Sequence, residues 1–137
     1  MTDWVWLEER EALAIHGRSL VLHGGPDGVR DAGLLASVLA RPKQLMANGG
    51  EVDVVSLAAA YTAGIVQNHP FIDGNKRTGF ILGILFLELN GMVFEASEAA
   101  ATEAVLALAA GTWTNVDYEG FLRDNCRPEQ AASSSAL

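Results

Sequence analysis

Only one cysteine, Cys126, occurs in the 137 residues, which excludes an intramolecular disulfide and suits a reducing compartment. Basic residues are also scarce: 9 Lys and Arg stand against 17 Asp and Glu, a net charge of −8. Such a chain is repelled by phosphate backbones and anionic lipid, so neither direct nucleic-acid binding nor a membrane surface is expected. Long apolar runs are missing. Phe80 to Leu87 is the longest, well short of the roughly 20 residues of a membrane span. The N-terminus has no basic stretch leading into an apolar one, so no signal peptide is visible, and a soluble cytoplasmic protein is the expectation. Internal repeats are absent, and low complexity is confined to the last residues, Ala131 to Leu137.

What is present is a hydrophobic content of 50%, enough to bury the core of one ordinary domain. The expected organisation is a single domain over residues 1–128 with a disordered tail at 129–137. Trp4 and Trp6 flank Val5, a pattern that fits a short strand or an anchor laid on the domain. From Leu7, the residues Leu7, Ala14, Ile15 and Leu22 fit a helix with one apolar face, interrupted by Gly24-Gly25-Pro26-Asp27-Gly28, turn chemistry that suits a hairpin or flap. Asp31 caps a helix with Leu34, Leu35, Val38 and Leu39 on one face, expected to end before Pro42, and Lys43 to Gly50 reads as a loop. Asp53 caps a third helix, poor in charge and hence buried, that reaches Asn68. Another runs to Leu89 with Gly79 and Gly83 spaced for close approach of a neighbour, and Asn90-Gly91 closes it. Met92 to Phe94 reads as extended. Ser97 caps a helix to about Ala110, and Asn115 caps a last one from Val116 to Cys126. The fold class is all-α, a compact bundle of about six helices with room for a small β-hairpin flap.

Between the third and fourth helices, His69-Pro70-Phe71-Ile72-Asp73-Gly74-Asn75-Lys76-Arg77-Thr78-Gly79 packs polar and charged groups densely between two apolar segments. Pro70 disfavours helical geometry at His69, so one helix ends there. Gly74 frees the backbone just before the next helix begins at about Asn75. The first N–H groups of that helix lack internal partners and the helix dipole adds partial positive charge, which makes an anion site before any side chain is counted. Lys76 and Arg77 lie in its first turn, where cations are unfavourable unless an anion compensates. Asp73 at the same helix start can hold a magnesium ion through one carboxylate and substrate phosphates. The imidazole of His69 can take a proton from an attacking hydroxyl. Equally, a loop histidine or aspartate serves as a cap or a solvated turn residue, and the residues alone leave both readings open.

Other chemistries are excluded by spacing. A P-loop needs glycine directly before its lysine, and Asn75 stands there; an EF-hand needs glycine and glutamate where this chain has Thr78 and Ile84. Neither His-Glu-x-x-His nor Gly-x-Ser-x-Gly occurs, and His16 and His23 read as helix-surface residues rather than ligands.

The run His69 to Thr78 matches the signature His-x-Phe-x-Asp-(Gly/Ala)-Asn-Lys-Arg-Thr, and here the chain resembles the Fic/Doc superfamily, most closely its death-on-curing (Doc) toxin branch. The resemblance extends through Gly24 to Asp31, Leu34-Leu35, Arg41-Pro42, Phe86-Leu87 and Asn90-Gly91. It implies a helical fold whose motif loop binds ATP and Mg2+, with His69 as general base and Asp73 as metal ligand. Phe71, Gly74, Asn75, Lys76 and Arg77 would form the nucleotide site, Lys76 and Arg77 serving catalysis as well. The segment Gly24 to Arg30 would be the flap that docks a target peptide.

Two departures bear on the reaction. AMP-transferring Fic enzymes have glycine where this chain has Lys76, and a second arginine where it has Phe80, an uncharged ring unable to hold the outer phosphates as leaving group. Doc-type proteins share this loss and resemble kinases, which implies transfer of the terminal phosphate to a threonine of elongation factor Tu. Gly74, by contrast, is the Fic-like choice where the phage Doc toxin has alanine. AMP transfer and a non-catalytic nucleotide- or protein-binding member are the alternatives. The family's self-inhibitory motif, Ser/Thr-x-x-x-Glu-(Gly/Asn), is approached only by Thr114 to Glu119-Gly120, one residue too long, so the resemblance implies a separate antitoxin as partner.

Overall fold

A computed structural model describes residues 3–129. Its elements in chain order are α1 (Glu9–His23), α2 (Ala32–Ala47), α3 (Val54–Asn68), α4 (Asn75–Leu89), β1 (Met92–Phe94), α5 (Glu98–Ala110), α6 (Asn115–Asp124) and β2 (Cys126–Pro128). The mostly helical class is as expected, with the two short strands paired antiparallel, Phe94 opposite Cys126 and Met92 opposite Pro128. Among the described residues, no helix is long and apolar enough to cross a membrane. Nearly all of the expected disordered tail lies outside the described residues.

α3 is the central element. It carries no charged side chain and buries Val55, Leu57, Ala58, Ala59, Tyr61, Thr62, Ala63, Ile65 and Val66, an all-round burial that only a helix surrounded by others attains. α4 lies closest against it because the facing positions are glycines. A Cβ on Gly79 would stand 3.0 Å from Val66 Cγ2 and 3.1 Å from the Thr62 carbonyl, and one on Gly83 would meet the Thr62 hydroxyl. The Thr62 hydroxyl donates to the Gly79 carbonyl at 2.8 Å, a bond that fixes the crossing. Leu35, Leu57, Ile65, Leu82, Phe86, Leu108 and Leu122 fill the core around this pair, each contributing roughly 1.5–3 kcal/mol of burial.

The N-terminal segment is an anchor rather than a strand. The rings of Trp4 and Trp6 rest on Phe86 at 6.2 and 5.9 Å, and the Asn90 side chain bonds both the N–H and the carbonyl of Val5.

Several boundaries differ from expectation. α2 runs through Pro42 to Ala47, so the expected loop from Lys43 is helical for five residues more. Pro42 is buried, and the Val38 carbonyl, which Pro42 cannot serve, lies on the flank of Gly64 in α3; packing against α3 offsets the missing bond. α6 is capped by Thr114, which shares a capping box with Asp117, and ends at Asp124, leaving Cys126 to pair with β1. In α1 the buried residues are Ala12, His16 and Ser19, whereas Ala14 is exposed and Leu22 is 59% exposed. Of the expected apolar face, Leu7 is buried and Ile15 packs against the core, so the buried face is displaced from the expected one rather than opposite to it. His16, expected on the surface, is buried.

Candidate active site

The loop from His69 to Gly74 joins the two most closely packed helices, so its ends are fixed by the core. His69 is the C-cap of α3 and holds φ 54°, ψ 58°, the one non-glycine left-handed residue among those described. That conformation costs of order 1–3 kcal/mol and persists only where neighbours enforce it. Here Arg30 does so: its Nε donates to the His69 carbonyl at 2.6 Å and its Nη2 to the Asn68 carbonyl at 2.8 Å. A guanidinium on the last carbonyls of a helix also complements the negative end of its dipole. The His69 side chain is left exposed.

Past Pro70 the chain pairs with the segment between α1 and α2. The amides of Arg30 and Asp31 donate to the Pro70 carbonyl at 2.7 and 3.1 Å, and the Ile72 amide donates to the Gly28 carbonyl at 3.0 Å, with Val29 bridged to Phe71. The expected flap is therefore an extended strip bonded to the motif loop, not a hairpin folded on itself. Gly25, at φ +112°, sits where an added Cβ would lie 2.8 Å from the Asp73 carboxylate. Only glycine satisfies both that conformation and that approach.

Phe71 and Asn75 point inward. The Phe71 side chain has no exposed surface, and its ring stacks on His16 at 4.0 Å with 9° between planes. The Asn75 amide group accepts from the Phe71 N–H and donates to the Phe71 carbonyl, both at 3.0 Å. These two side chains, expected in the nucleotide site, are buried here and shape the loop. His16 completes the arrangement from α1, with Nε2 at 2.7 Å from the Asp73 carbonyl.

What faces out is a helix start without a cap. α2, α3, α5 and α6 each begin with a side chain that accepts from the first-turn amides, whereas α4 begins with Gly74, which has none. Lys76 and Arg77 stand exposed in that first turn, and none of the ion pairs among the described residues includes them. Two unpaired cations at the positive end of a dipole are tolerable because solvent screens them, and they attract an anion strongly. Asp73 is exposed at the same place. Among the described residues there is no cluster of three His, Cys, Asp or Glu, so a dedicated metal cage is absent. One exposed carboxylate beside an uncapped helix start fits Mg2+, which keeps its waters and would bind through substrate phosphates.

The model of the Fic/DOC family matches residues 6–87, a span that holds α1, α2, α3, the loop and nearly all of α4. The chain belongs to the Fic/DOC family. It is 30% identical over 95 residues to Protein kinase doc of Escherichia phage P1, covering 69% of this chain and 75% of that protein. It is 36% identical over 96 residues to Toxin Doc of Mycolicibacterium smegmatis, covering 67% and 68%.

In this Fic/DOC chain the motif residues divide by exposure. His69, Asp73, Lys76 and Arg77 are presented to solvent, Gly74 is half-buried, and Phe71 and Asn75 are internal. Phe80 is half-buried one turn on, edge-to-face with Phe94 at 5.9 Å. Glu119, from the near-miss inhibitory motif, is paired with Arg123 at 2.6 Å and accepts from Ser56 at 3.1 Å. A cavity of about 500 Å3 runs along α3 between α2 and α6, lined by Val38, Ala59, Ala63 and Gly64 among others, and the loop residues 69–77 contribute nothing to its lining. Sequence reasoning missed two residues that hold the loop, His16 and the clamping role of Arg30. Neither belongs to the motif, and no apolar periodicity marks them.

Proposed function

We propose that this protein is a Doc-like toxin of a type II toxin-antitoxin system, which transfers the γ-phosphate of ATP to a threonine or serine hydroxyl of a cytoplasmic protein. By resemblance the target is elongation factor Tu, and the consequence is arrested translation. The observation that carries this reading is the start of α4, where uncapped amides meet two cations without carboxylate partners and one acidic side chain. The names of the relatives, one a protein kinase and one a toxin, support it.

In this reading the first amides of α4, with Lys76 and Arg77, hold the phosphate chain. Mg2+, bound by Asp73 and phosphate oxygens, would supply charge neutralisation at the transferring group. His69 takes the proton of the target hydroxyl as its oxygen bonds to the γ-phosphorus, and the bond from that phosphorus to the β–γ bridging oxygen breaks, releasing ADP. The open face of the loop suits a protein substrate, because the hydroxyl must arrive on a macromolecule's surface. Phe80 favours γ-transfer over AMP transfer: its ring is directed at Phe94 and offers no charge to a pyrophosphate leaving group. A separate antitoxin is the expected partner, as the names and the paired state of Glu119 suggest.

The test uses purified protein, Mg2+, ATP and elongation factor Tu. Label from the γ-phosphate is expected on the target and label from the α-phosphate is not. The reverse pattern would establish AMP transfer, and no label from either, with nucleotide still bound, would make the chain a binding member of its family. His69→Ala is expected to reduce transfer by roughly 10²- to 10⁴-fold while leaving the fold intact, since that side chain is exposed.

A further inference from the structure

His16 lies in α1, outside the motif, yet three features of the loop converge on it. Its ring stacks on Phe71, its Nε2 is 2.7 Å from the Asp73 carbonyl, and a Cβ on Gly74 would stand 3.6 Å from its Cδ2 and Nε2. It is 3% exposed. A carbonyl oxygen only accepts, so Nε2 carries the proton and donates. If filling space were the whole requirement, a phenyl ring would stack on Phe71 as well, without the cost of burying a polar imidazole.

The Asp73–Gly74 peptide is trans, as are all the described peptide bonds. In a trans peptide the carbonyl and the following N–H point in opposite directions. Holding the Asp73 carbonyl toward α1 therefore turns the Gly74 N–H away from α1, and that N–H has no backbone acceptor among the described residues. The same hydrogen bond fixes the Cα of Asp73, from which the carboxylate projects, and the Gly74 N-cap, whose carbonyl accepts from the Thr78 amide at 3.0 Å. We infer that His16 is a positioning residue: its Nε2–H sets the Asp73–Gly74 peptide plane, so that the Gly74 amide and the Asp73 carboxylate are already aimed at an incoming anion and its cation.

The loop-geometry part stands without any ligand, and the affinity part rests on the nucleotide reading above. In the wild-type full chain, at a pH well above the ordinary histidine value of about 6.5, imidazole 15N shifts of His16 are expected to report the Nε2–H tautomer; an Nδ1–H tautomer overturns the inference. Two variants then separate ring from donor. His16→Phe keeps the stack and loses the proton, and His16→Gln offers an amide N–H in its place. In ligand-free amide spectra His16→Phe is expected to shift or broaden the Gly74 and Asp73 signals and to speed exchange of the Thr78 amide, while His16→Gln stays close to wild type. Mg-ATP affinity measured calorimetrically should fall about tenfold in His16→Phe and recover in His16→Gln. Unchanged Gly74 signals in a folded His16→Phe, or a folded His16→Gln as disturbed as His16→Phe, overturns the inference. Failure of the wild type to bind Mg-ATP sinks the nucleotide reading instead, and the tautomer and amide signals still decide the role of His16.

Discussion

Two glycine-to-alanine changes, identical in chemistry, are expected to move stability in opposite directions. In α4, a Cβ on Gly83 would collide with the Thr62 hydroxyl and stand 2.9 Å from the Ala58 carbonyl. The hydroxyl is committed to the Gly79 carbonyl, and the carbonyl is helix backbone, so relief requires α3 and α4 to separate. Overpacking against backbone sits near the upper end of the usual range, about 3 kcal/mol; the strained Thr62 bond adds about 1, and the helix propensity of alanine returns about 1. The net loss is about 3 kcal/mol. For a chain of this size that lowers Tm by about 10 °C. In α1, Gly17 has nothing within 4 Å of an added Cβ, so Gly17→Ala keeps only the propensity gain, about 0.5–1 kcal/mol, and raises Tm by about 2–3 °C. Calorimetric or circular-dichroism melts of the single variants read both signs. Adding Thr62→Ala to Gly83→Ala removes one of the two obstacles, so the double variant should lose less than the sum of the singles. A Gly83→Ala melt within 2 °C of wild type, about the scale of the propensity term alone, refutes the packing account of the helix crossing.

The remaining predictions concern groups that tie elements together. The Tyr61 hydroxyl bonds both the N–H and the carbonyl of Leu7, so Tyr61→Phe should cost about 2–3 kcal/mol in denaturant unfolding. The Tyr118 hydroxyl is buried without a partner at hydrogen-bond distance, so Tyr118→Phe should be neutral or stabilising. Burial pushes both phenols up to about 12, the Thr62 hydroxyl opposing this at Tyr118 without closing a bond. Their contributions are complete below the unfolded value near 10 and fade as pH rises toward 12, so Tyr118→Phe should flatten the alkaline limb of the melting curve. Arg30→Ala removes two charge-assisted bonds to the end of α3 and should cost about 1–2 kcal/mol, with altered amide shifts at His69. At Asp53 burial alone would raise the carboxyl, but Arg123 and the Ser56 amide and hydroxyl outweigh it and hold the group below the ordinary carboxylate value. That contribution is present above the unfolded value and lost as pH falls through the folded one. The Tm gap between wild type and Asp53→Asn should therefore close below about pH 4.

Much of the fold is legible because helix starts are written locally. Asp31, Asp53 and Ser97 cap α2, α3 and α5 through their own side chains, and Gly79 and Gly83 announce the close crossing. Pro42 misled because its cost depends on what buries it, and Thr114 displaced Asn115 because the capping box also needs Asp117. α1 was misread for a deeper reason. Its buried stripe, Ala12, His16 and Ser19, is small or polar, so a rule that equates burial with hydrophobicity selects another face. That His69, Asp73, Lys76 and Arg77 gather at the loop and the start of α4 was readable from residue type and order. The inward packing was not, since nothing in the motif says that Asn75 bonds back to Phe71 or that Phe71 stacks on α1.

The buried polar side chains clarify why the loop is built this way. They are His16, Ser19, Thr62, Asn75 and Thr78, and four of the five touch the loop, start α4 or hold its crossing with α3. A buried polar group costs free energy unless bonded, so apolar residues there would give a core at least as stable. They would also leave the loop free to settle by several routes, since hydrophobic contact is not directional. A hydrogen bond specifies a peptide plane. His16 does this for Asp73, Asn75 for Phe71, and Arg30, from outside, for His69. The three come from different segments, α1, α4 and the flap, and each acts on the main chain while leaving the exposed His69, Asp73, Lys76 and Arg77 side chains uncommitted. The main-chain geometry of the loop thus rests on side chains outside the exposed set, and a substitution that preserves every exposed motif residue is expected still to disturb it.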